Sequence, residues 1–338
     1  MSRIAVIGTG SWGTALSLVL AKRGGHTIIL WSHTGVVADA IRKTRENSIY
    51  LPGLFIPDCV SVTTDLQEAV DQAEILVLAV PSEHLRSICC AMAPLLNSKQ
   101  IIVNATKGIE DGTYLRMTQV MGEVLGKYDL ALPCGVLSGP SFAQEVGAGS
   151  PTAITIASCD SAVATRVQEE FSSPSLRLYT NDDVIGVELG GALKNVIAIA
   201  AGATYGLGLG HNTLAALITR GIAEITRLAV ACGGRRETLA GLSGLGDLVL
   251  TCTGALSRNR HVGLELGRGR CLKEILADMH GRVAEGVRTT DAALGVARRV
   301  GVEMPITEKV AQVLHEQISA KEAMRDLMSR PGRDESSR

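Results

Sequence analysis

A chain of 338 residues is long enough for two domains that each bury a core of their own. Charged residues make up 20% of the sequence and hydrophobic residues 46%, which is typical of a globular protein and gives no indication of a disordered one. Because the formal net charge is -1, no global field attracts nucleic acid or an anionic membrane, so an anionic ligand needs local cations.

The sequence predicts a cytoplasmic protein. The apolar run that opens the chain meets a glycine loop too early for a signal peptide, and no stretch of about 18 apolar residues is free of glycine and charge. The eight cysteines form no C-x-x-C pair and have no zinc-like spacing with histidine. We therefore expect reduced thiols and no metal site.

The first half of the chain alternates short apolar runs with amphipathic segments. Runs rich in Ile, Val and Leu predict buried strands at residues 4–7, 27–31, 75–80, 101–104 and 131–137, with edge strands at 152–157 and 176–179. Helical spacing predicts helices at 14–23, 36–45 and 84–95, and the capping-box spacing of Asp65 and Glu68 starts another. This alternation predicts an α/β domain over residues 1–180 with a doubly wound (Rossmann-like), mostly parallel sheet.

After residue 181 the strands give way to helices. Helical spacing predicts helices at 184–203, 214–232, 257–266, 289–300 and 305–315. We therefore predict an all-α second domain over residues 181–330, followed by a disordered polar tail at 331–338. Residues 206–212 carry glycine at every second position and form either a mobile lid or a plain connector.

A glycine-rich loop, Gly8-Thr-Gly10-Ser-Trp-Gly13, follows the first predicted strand and opens a helix. In that setting the three glycines serve a tight turn, backbone access to a pyrophosphate and close helix packing. The helix N-terminus then favours the anion through its unpaired N–H groups and its dipole. We interpret the loop as a dinucleotide-binding site, with a plain glycine turn as the alternative.

The end of the second predicted strand bears on the choice of cofactor. NAD-specific sites place Asp or Glu there, whereas this strand ends Trp31-Ser32-His33 and no acid occurs before Asp39. Ser32 and His33 are able to donate to a 2′-phosphate that a carboxylate would repel. NADP(H) is therefore favoured and NAD(H) stays possible, while a solvated loop histidine is the alternative for His33.

Two lysines are candidates for catalysis. Lys107 follows a predicted strand, where doubly wound sheets bind ligands, although a plain surface lysine is an equal alternative. Lys194 lies in an almost uncharged helix, with Gly190, Gly191 and Ala198 on its face, which predicts room for a substrate or nicotinamide. Burial would lower the pKa of Lys194 toward a range useful for acid–base work. The alternative is a lysine that snorkels to solvent.

Two further segments suit a phosphorylated substrate. Asp247 is the single acid in an apolar stretch at 244–253, where it would orient Lys194 or accept a substrate hydroxyl. The donors Ser257, Arg258, Asn259 and their neighbours gather at a predicted helix start, which suits a phosphate. A solvated basic face is the alternative.

These motifs resemble the NAD(P)-dependent glycerol-3-phosphate dehydrogenase family, bacterial type. The resemblance runs from about residue 3 to residue 328 and rests on several ordered blocks. The blocks are GTGSWGTAL (8–16), NATKG (104–108), LSGPSFA (137–143), ELGGALKNVIAIAAG (188–202), GLGDLVLTCTG (244–254), SRNR (257–260), VAEGVRTT (283–290) and MPITE (304–308).

The resemblance implies an activity and a set of site residues. The activity is reversible reduction of dihydroxyacetone phosphate to sn-glycerol 3-phosphate, which supplies the glycerol backbone of phospholipids. It implies Lys194 as the proton acceptor in glycerol 3-phosphate oxidation, supported by Lys107, Asp247 and Asn195. It assigns substrate binding to Lys107, Gly139, Ser141, Lys194, Asp247, Thr251, Ser257, Arg258 and Asn259. It adds to the glycine loop, as dinucleotide contacts, Ser11, Trp12, His33, Lys107, Ala143, Arg258, Val283 and Glu285.

On this interpretation the partners are a small-molecule substrate and a second copy of the chain in a homodimer, with no nucleic acid and no membrane. Two rival classes stay open at this point. One is a β-hydroxyacid or 6-phosphogluconate-type dehydrogenase, against which the SRNR and GLGDLVLTCTG blocks argue. The other is a redox-sensing module that holds NADP(H) without turnover, which has no need of the two lysines.

Overall fold

The structure, a computed structural model, describes residues 2–279, 284–332 and 334. The chain divides into two compact units, the first formed by Met1–Lys107 and Arg116–Val184, the second by Gly108–Leu115 and Ile185–Arg338. The boundary predicted at residue 180 therefore needs one correction, because the segment Gly108–Leu115 belongs to the second unit.

Packing explains why that short segment belongs to the second unit. Ile109 is only 3% exposed and lies in the helical core. The ring of Tyr114 fills the space beside Gly295, whose added Cβ would lie 2.5 Å from Tyr114 Cζ. The guanidinium of Arg299 stacks on Tyr114 and donates to Thr113 O at 2.8 Å. The apolar spacing of the surrounding sequence carries no signal of this exchange.

The first unit is built on a sheet. Its strands are β1 (Ser2–Ile7), β2 (His26–Trp31), β3 (Glu46–Asn47), β4 (Leu51–Phe55), β5 (Val60–Thr63), β6 (Ile75–Leu78), β7 (Ile101–Asn104), β8 (Cys134–Ser138), β9 (Thr152–Ala157) and β10 (Leu176–Asn181). The order is β10-β9-β8-β7-β6-β1-β2-β5, and β3 with β4 forms a separate antiparallel hairpin. All neighbours in the large sheet are parallel except β8 and β9. The predicted mostly parallel sheet is confirmed.

Helices cover this sheet. They are α1 (Ser11–Arg23), α2 (Gly35–Thr44), α3 (Leu66–Val70), α4 (Ser82–Met92), α5 (Met117–Gly126), α6 (Ala143–Ala148) and α7 (Ser161–Phe171), with a 3-10 turn at Ala93–Leu95. The core between sheet and helices consists of aliphatic residues and Phe171. This burial explains why the strands are continuous apolar runs rather than alternating ones.

Two local predictions for the first unit need correction. The strand predicted at 131–137 begins only at Cys134, because Pro133 has no N–H to give a ladder; its carbonyl accepts from Ile102 N at 2.9 Å instead. The capping box is half formed. Asp65 accepts from Gln67 N and Glu68 N, but the Glu68 carboxylate accepts from the Thr63 hydroxyl rather than from the Asp65 backbone.

The second unit is helical, as predicted. Its helices are α8 (Val184–Gly206), α9 (His211–Ala231), α10 (Arg236–Leu239), α11 (Asp247–Thr253), α12 (Arg258–Gly267), α13 (Leu272–Asp278), α14 (Glu285–Val300), α15 (Pro305–Leu314) and α16 (Ala320–Met328), with a π-helical turn at Leu242–Gly246. The glycine-rich stretch between α8 and α9 is a connector of four residues, 207–210. The predicted tail falls mostly outside the described residues and stays a prediction.

Helix α8 is the central helix of this unit. By length and composition it could cross a membrane, and 83% of its 18-residue apolar stretch is buried inside the protein. A bent pair, Arg236–Thr253 with Arg258–Gly267, is also long and apolar enough, and these are the candidates within the described ranges. A buried core helix gives this signal without a membrane.

Small residues let α8 and α12 approach closely. A Cβ on Gly202 would overlap Arg260 O, and one on Gly263 would overlap Ile199 O. On Gly267 it would lie 2.5 Å from Ala203 O. Because no side chain fits at these positions, the backbones of the two helices are in contact. The start of α12 is thereby fixed with respect to α8.

Candidate active site

The glycine loop has the shape that a dinucleotide phosphate requires. Gly8 has a φ of +121°, and its added Cβ would lie 2.5 Å from Ala79 O. A Cβ on Gly13 would overlap Gly8 O, whereas one on Gly10 meets no atom within 4 Å. Gly8 and Gly13 therefore serve the turn and the packing, and Gly10 leaves open space at the first residues of α1. No acidic residue stands in the first turn of α1, so its dipole favours an anion.

At the end of β2 the two expected donors differ. The side chain of Ser32 is 0% exposed, and its hydroxyl lies 2.9 Å from Thr34 O and 2.9 Å from Thr9 Oγ1. Ser32 therefore ties the strand end to the glycine loop instead of presenting a donor at the surface. His33 is exposed, and its ring centroid lies 5.9 Å from that of Trp31.

A second set of predicted residues gathers where β7 and β8 end. Lys107 Nζ donates to Gly139 O at 3.3 Å, and Ser141 Oγ donates to the same oxygen at 2.8 Å. Gly139 has a φ of +136° and presses against Ile154, so only glycine fits there. Ala143 begins α6 just beyond. These residues lie at the carboxyl ends of the strands, where doubly wound sheets bind ligands.

In the second unit, Lys194 is buried in an ion pair. The residue is 8% exposed, and its Nζ lies 2.5 Å from Oδ1 of Asp247, which is 0% exposed. Nζ also donates to Thr251 Oγ1 at 2.9 Å, while the Thr251 hydroxyl lies 2.6 Å from Asp247 O. A buried ammonium is stable only with such compensation. Of the two roles predicted for Asp247, the structure shows the one in which it orients Lys194, and it adds Thr251 as a second partner of Nζ.

The π-helical turn before α11 explains how Asp247 reaches the lysine. A Cβ on Gly190 would lie 2.5 Å from Ser243 O, so the turn packs directly on the backbone of α8. The prediction that Gly190 leaves room for a ligand is therefore wrong, because this turn fills the space. Asp247 begins α11 and Thr251 follows one helical turn later, which puts both on the face toward Lys194.

The side-chain amide of Asn195 was expected to support Lys194, but its hydrogen-bond partner is Asn259. Its Oδ1 accepts from Asn259 Nδ2 at 2.9 Å, and Asn259 Oδ1 accepts from Gly286 N at 2.9 Å. Asn195 therefore links α8 to α12 and α14 and positions the start of α12. Glu285 is half-buried at the start of α14, next to this chain of amides. The predicted contact Val283 lies outside the described residues.

The helix start predicted at Ser257 is observed as the N-terminus of α12, and the phosphate site predicted there stays a prediction. Ser257 is the N-cap, and its hydroxyl accepts from Arg260 N at 3.2 Å. Arg258 follows as an exposed residue in the first turn, and Asn259 is buried with its side-chain amide in two hydrogen bonds. Helix dipole, N–H groups and a guanidinium at one helix start favour a phosphate.

Two contacts in this unit have no signal in the sequence. Gly286 lies within the block VAEGVRTT, but nothing in its spacing indicates that it contacts Asn195. Arg260 stacks on the ring of Tyr205 at 4.2 Å, and the spacing between these residues gives no sign of it. Both contacts join segments far apart in the chain. Pattern within one helix does not report such contacts.

Fold and site together define a class. A doubly wound unit with a dinucleotide loop, joined to helices that bury a lysine–carboxylate pair, is typical of NAD(P)-dependent dehydrogenases. Within the described residues no group of three or more His, Cys, Asp or Glu side chains is arranged to hold a metal ion.

Comparison with known proteins then gives the family. The model for the N-terminus of NAD-dependent glycerol-3-phosphate dehydrogenase matches residues 3–164, and that for its C-terminus matches residues 183–325. The chain belongs to this family of oxidoreductases. The membership decides against both rival classes.

Individual relatives agree over nearly the full length. A glycerol-3-phosphate dehydrogenase [NAD(P)+] of Acidobacterium capsulatum is 62% identical over 338 residues, covering 99% of this chain and 100% of the relative. One of Geobacter sulfurreducens is 54% identical over 328 residues, covering 97% of each. The crystal structure of glycerol-3-phosphate dehydrogenase from Coxiella burnetii is 41% identical with a TM-score of 0.93, covering 97% of this chain and 99% of that one.

Proposed function

We propose that this protein reduces dihydroxyacetone phosphate to sn-glycerol 3-phosphate with a reduced nicotinamide dinucleotide, and catalyses the reverse reaction. The observation that carries the proposal is the buried Lys194 ammonium, held by Asp247 and Thr251. The substrate is inferred from family membership. In the buried pair, the Lys194 ammonium is the general acid that carbonyl reduction requires.

When bound, the dinucleotide supplies the hydride that the carbonyl carbon accepts. Lys194 hydrogen-bonds the carbonyl oxygen, stabilises the negative charge that grows there and gives up one proton to form the alcohol. The lysine is then a neutral amine and regains its proton from solvent, which balances the reaction. Asp247 and Thr251 hold Nζ in one place throughout. In the oxidation of glycerol 3-phosphate, the neutral Lys194 accepts the hydroxyl proton.

Arg258 and the N-terminus of α12 bind the substrate phosphate in this proposal, with Ser257 and Asn259 shaping that terminus. The amide chain from Asn195 to Gly286 supports this role, since it fixes the helix start with respect to Lys194 on α8. Lys107, Gly139 and Ser141 keep their proposed part in substrate binding. The glycine loop with Ser11 and Trp12, Ala143 and Glu285 keep theirs in cofactor binding.

We propose NADP(H) as the favoured cofactor, with NAD(H) also accepted. Support comes from the end of β2, where the exposed His33 stands and the acid typical of NAD-specific sites is missing from the sequence. Ser32 contributes through the shape of the loop, because its hydroxyl is bonded to Thr34 and Thr9.

The product is suited to supply the glycerol backbone of phospholipids, and we propose a cytoplasmic homodimer. Among the described residues, which include all eight cysteines, no disulfide is formed, and this supports a reducing compartment. Burial raises the pKa of the Cys89 and Cys252 thiols to about 12, so both stay protonated at neutral pH. Light scattering of the purified protein tests the dimer.

The test is an assay of dihydroxyacetone phosphate reduction with NADPH and NADH in parallel, followed by absorbance of the reduced cofactor. We expect turnover with both and a higher kcat/KM with NADPH. Cofactor binding without oxidation on dihydroxyacetone phosphate would contradict the proposed activity. A higher kcat/KM with NADH would contradict the cofactor preference alone.

A further inference from the structure

The β3–β4 hairpin contacts the glycine loop through one buried side chain. Asn47, on β3, is 1% exposed. Its Nδ2 donates to Thr9 O at 2.8 Å and to Thr14 Oγ1 at 2.8 Å. Its Oδ1 accepts from Tyr50 N at 3.2 Å. The side-chain amide of Asn47 therefore joins the turn of the hairpin to the Thr9 carbonyl in the glycine loop and to Thr14 in the first turn of α1.

The hairpin itself is anchored firmly. Leu51 is 1% exposed in the core of the first unit. A Cβ on Gly147 of α6 would lie 2.7 Å from Leu54 Cδ1, so the hairpin packs on the backbone of that helix. Gln144, also on α6, donates to Pro52 O at 3.2 Å, and Glu46 closes the hairpin by accepting from Gly53 N at 2.8 Å. Asn47 thus projects from a rigid support.

The geometry of the peptide bond gives this contact a consequence for the loop. Thr9 O and Gly10 N–H belong to one planar trans peptide, so they point in opposite directions. Asn47 holds the carbonyl toward the hairpin, which turns the Gly10 N–H the other way. The Thr9 side chain is held as well, since its hydroxyl lies 2.9 Å from Ser32 Oγ.

We infer that Asn47 is a positioning residue for the dinucleotide, which fixes the Thr9–Gly10 peptide so that the Gly10 N–H faces the cofactor phosphates. The inference rests on the dinucleotide binding in the proposed function, not on the substrate. Both NADPH and NADH carry the pyrophosphate, so the affinity for both depends on Asn47 to the same degree.

The experiment measures NADPH and NADH binding to the full-length protein without substrate, through quenching of tryptophan fluorescence. We expect Asn47→Ala and Asn47→Asp to raise the Kd for both cofactors about tenfold, with their ratio unchanged. At saturating NADPH, the kcat and the KM for dihydroxyacetone phosphate should stay within about twofold of the wild-type values.

Gln100 offers a matched control. It is a buried amide whose Nε2 donates to two carbonyls, Val70 O at 3.0 Å and Ala73 O at 2.9 Å, just before β7 and so at the opposite end of the strands. We expect Gln100→Ala to lower the Tm as Asn47→Ala does, with both cofactor Kd values within about twofold of wild type. A Kd for Asn47→Ala that is likewise within twofold, with a lowered Tm, would overturn the inference.

A second pair of variants applies if Asn47→Ala does not fold. Thr14→Val removes the hydroxyl that accepts from Asn47, whereas Thr14→Ser keeps it. We expect the cofactor Kd to rise in Thr14→Val but not in Thr14→Ser. Equal affinity in both variants would overturn the inference.

Failure of the proposed activity can be told apart from failure of this inference. A wild-type protein that binds NADPH but leaves dihydroxyacetone phosphate unreduced would contradict the proposed activity and leave the role of Asn47 intact.

Discussion

The backbone of Gly286 lies so close to Asn195 that only glycine fits at position 286. A Cβ on Gly286 would lie 2.6 Å from Asn195 O and 2.8 Å from Asn259 Oδ1. Asn259 in turn joins Asn195 to the Gly286 N–H. Asn259 is thereby held between α8 and α14. This fixes the first turn of α12, which carries the proposed phosphate site.

Gly286→Ala should push these amides apart. We expect a loss of about 1–3 kcal/mol in the free energy of unfolding, as overpacking typically costs, and a raised KM for dihydroxyacetone phosphate. Gly122 is the control, because its Cβ meets nothing within 4 Å and it lies in the middle of α5. Gly122→Ala should be neutral or stabilising by about 0.5–1 kcal/mol. Equal stability and KM in the two variants would contradict this account of Gly286.

The Thr251 hydroxyl holds Lys194 Nζ at 2.9 Å. Thr251→Val keeps the shape of the side chain and removes the hydroxyl, so the lysine loses one of its two named partners. We expect kcat to fall about tenfold, the value of one hydrogen bond to a charged group. Thr251→Ser keeps the hydroxyl and should stay within a few-fold of wild type. Steady-state kinetics decide, and equal loss in both variants would point to packing instead.

Arg258 should act on substrate binding more than on turnover. Arg258→Ala removes the guanidinium from the start of α12, and we expect the KM for dihydroxyacetone phosphate to rise about tenfold or more. Activity on dihydroxyacetone, which has no phosphate, should change little. Arg298→Ala, at an exposed arginine in the last turn of α14, is the control. An unchanged KM in Arg258→Ala would move the phosphate site elsewhere.

The sequence was a reliable guide to features that repeat within one segment. Continuous apolar strands predicted the parallel sheet, and helical spacing predicted α8 and α9. The dinucleotide loop at Gly8 could be predicted because its glycines, the strand before it and the helix after it are contiguous in the sequence. Lys194 was recognisable because a charge in an apolar helix is rare.

Contacts between segments far apart in the chain could not be predicted from the sequence. Residues 108–115 join the second unit through Tyr114 and Gly295, and Asn47 reaches the glycine loop from a hairpin that no periodicity indicated. Gly190 was misinterpreted for the same reason, since only the structure shows the turn at Ser243 that fills its space. Short elements such as α10 and α11 have too few residues to display a period.

We expect Glu224 to make the stability of the protein depend on pH. It is 1% exposed on α9 and accepts from Ile306 N, Thr307 N and Thr307 Oγ1 at 2.9, 2.9 and 2.7 Å. Burial raises the pKa of this carboxyl above its ordinary value, and the hydrogen bonds from Ile306 and Thr307 offset part of that effect. The folded protein therefore takes up the proton at a higher pH than the unfolded chain does.

It follows that the stabilising contribution of protonation is fully present below the unfolded pKa and is lost as pH rises through the folded one. Urea unfolding of the wild type and of Glu224→Gln between about pH 5 and pH 8 isolates this group. We expect the free energy of unfolding of the wild type, relative to the variant, to increase as pH falls. A difference that stays constant with pH, or decreases, would contradict the raised pKa.

The most direct test of the account is the rate of hydride transfer in Lys194→Ala, measured by stopped-flow absorbance of NADPH with dihydroxyacetone phosphate in excess. Lys194→Arg is the matched variant, because it keeps a positive charge beside Asp247 but is a much weaker acid. We expect a loss of about 100-fold or more in both, with NADPH affinity preserved. Near-normal hydride transfer in Lys194→Ala would remove the lysine from the mechanism.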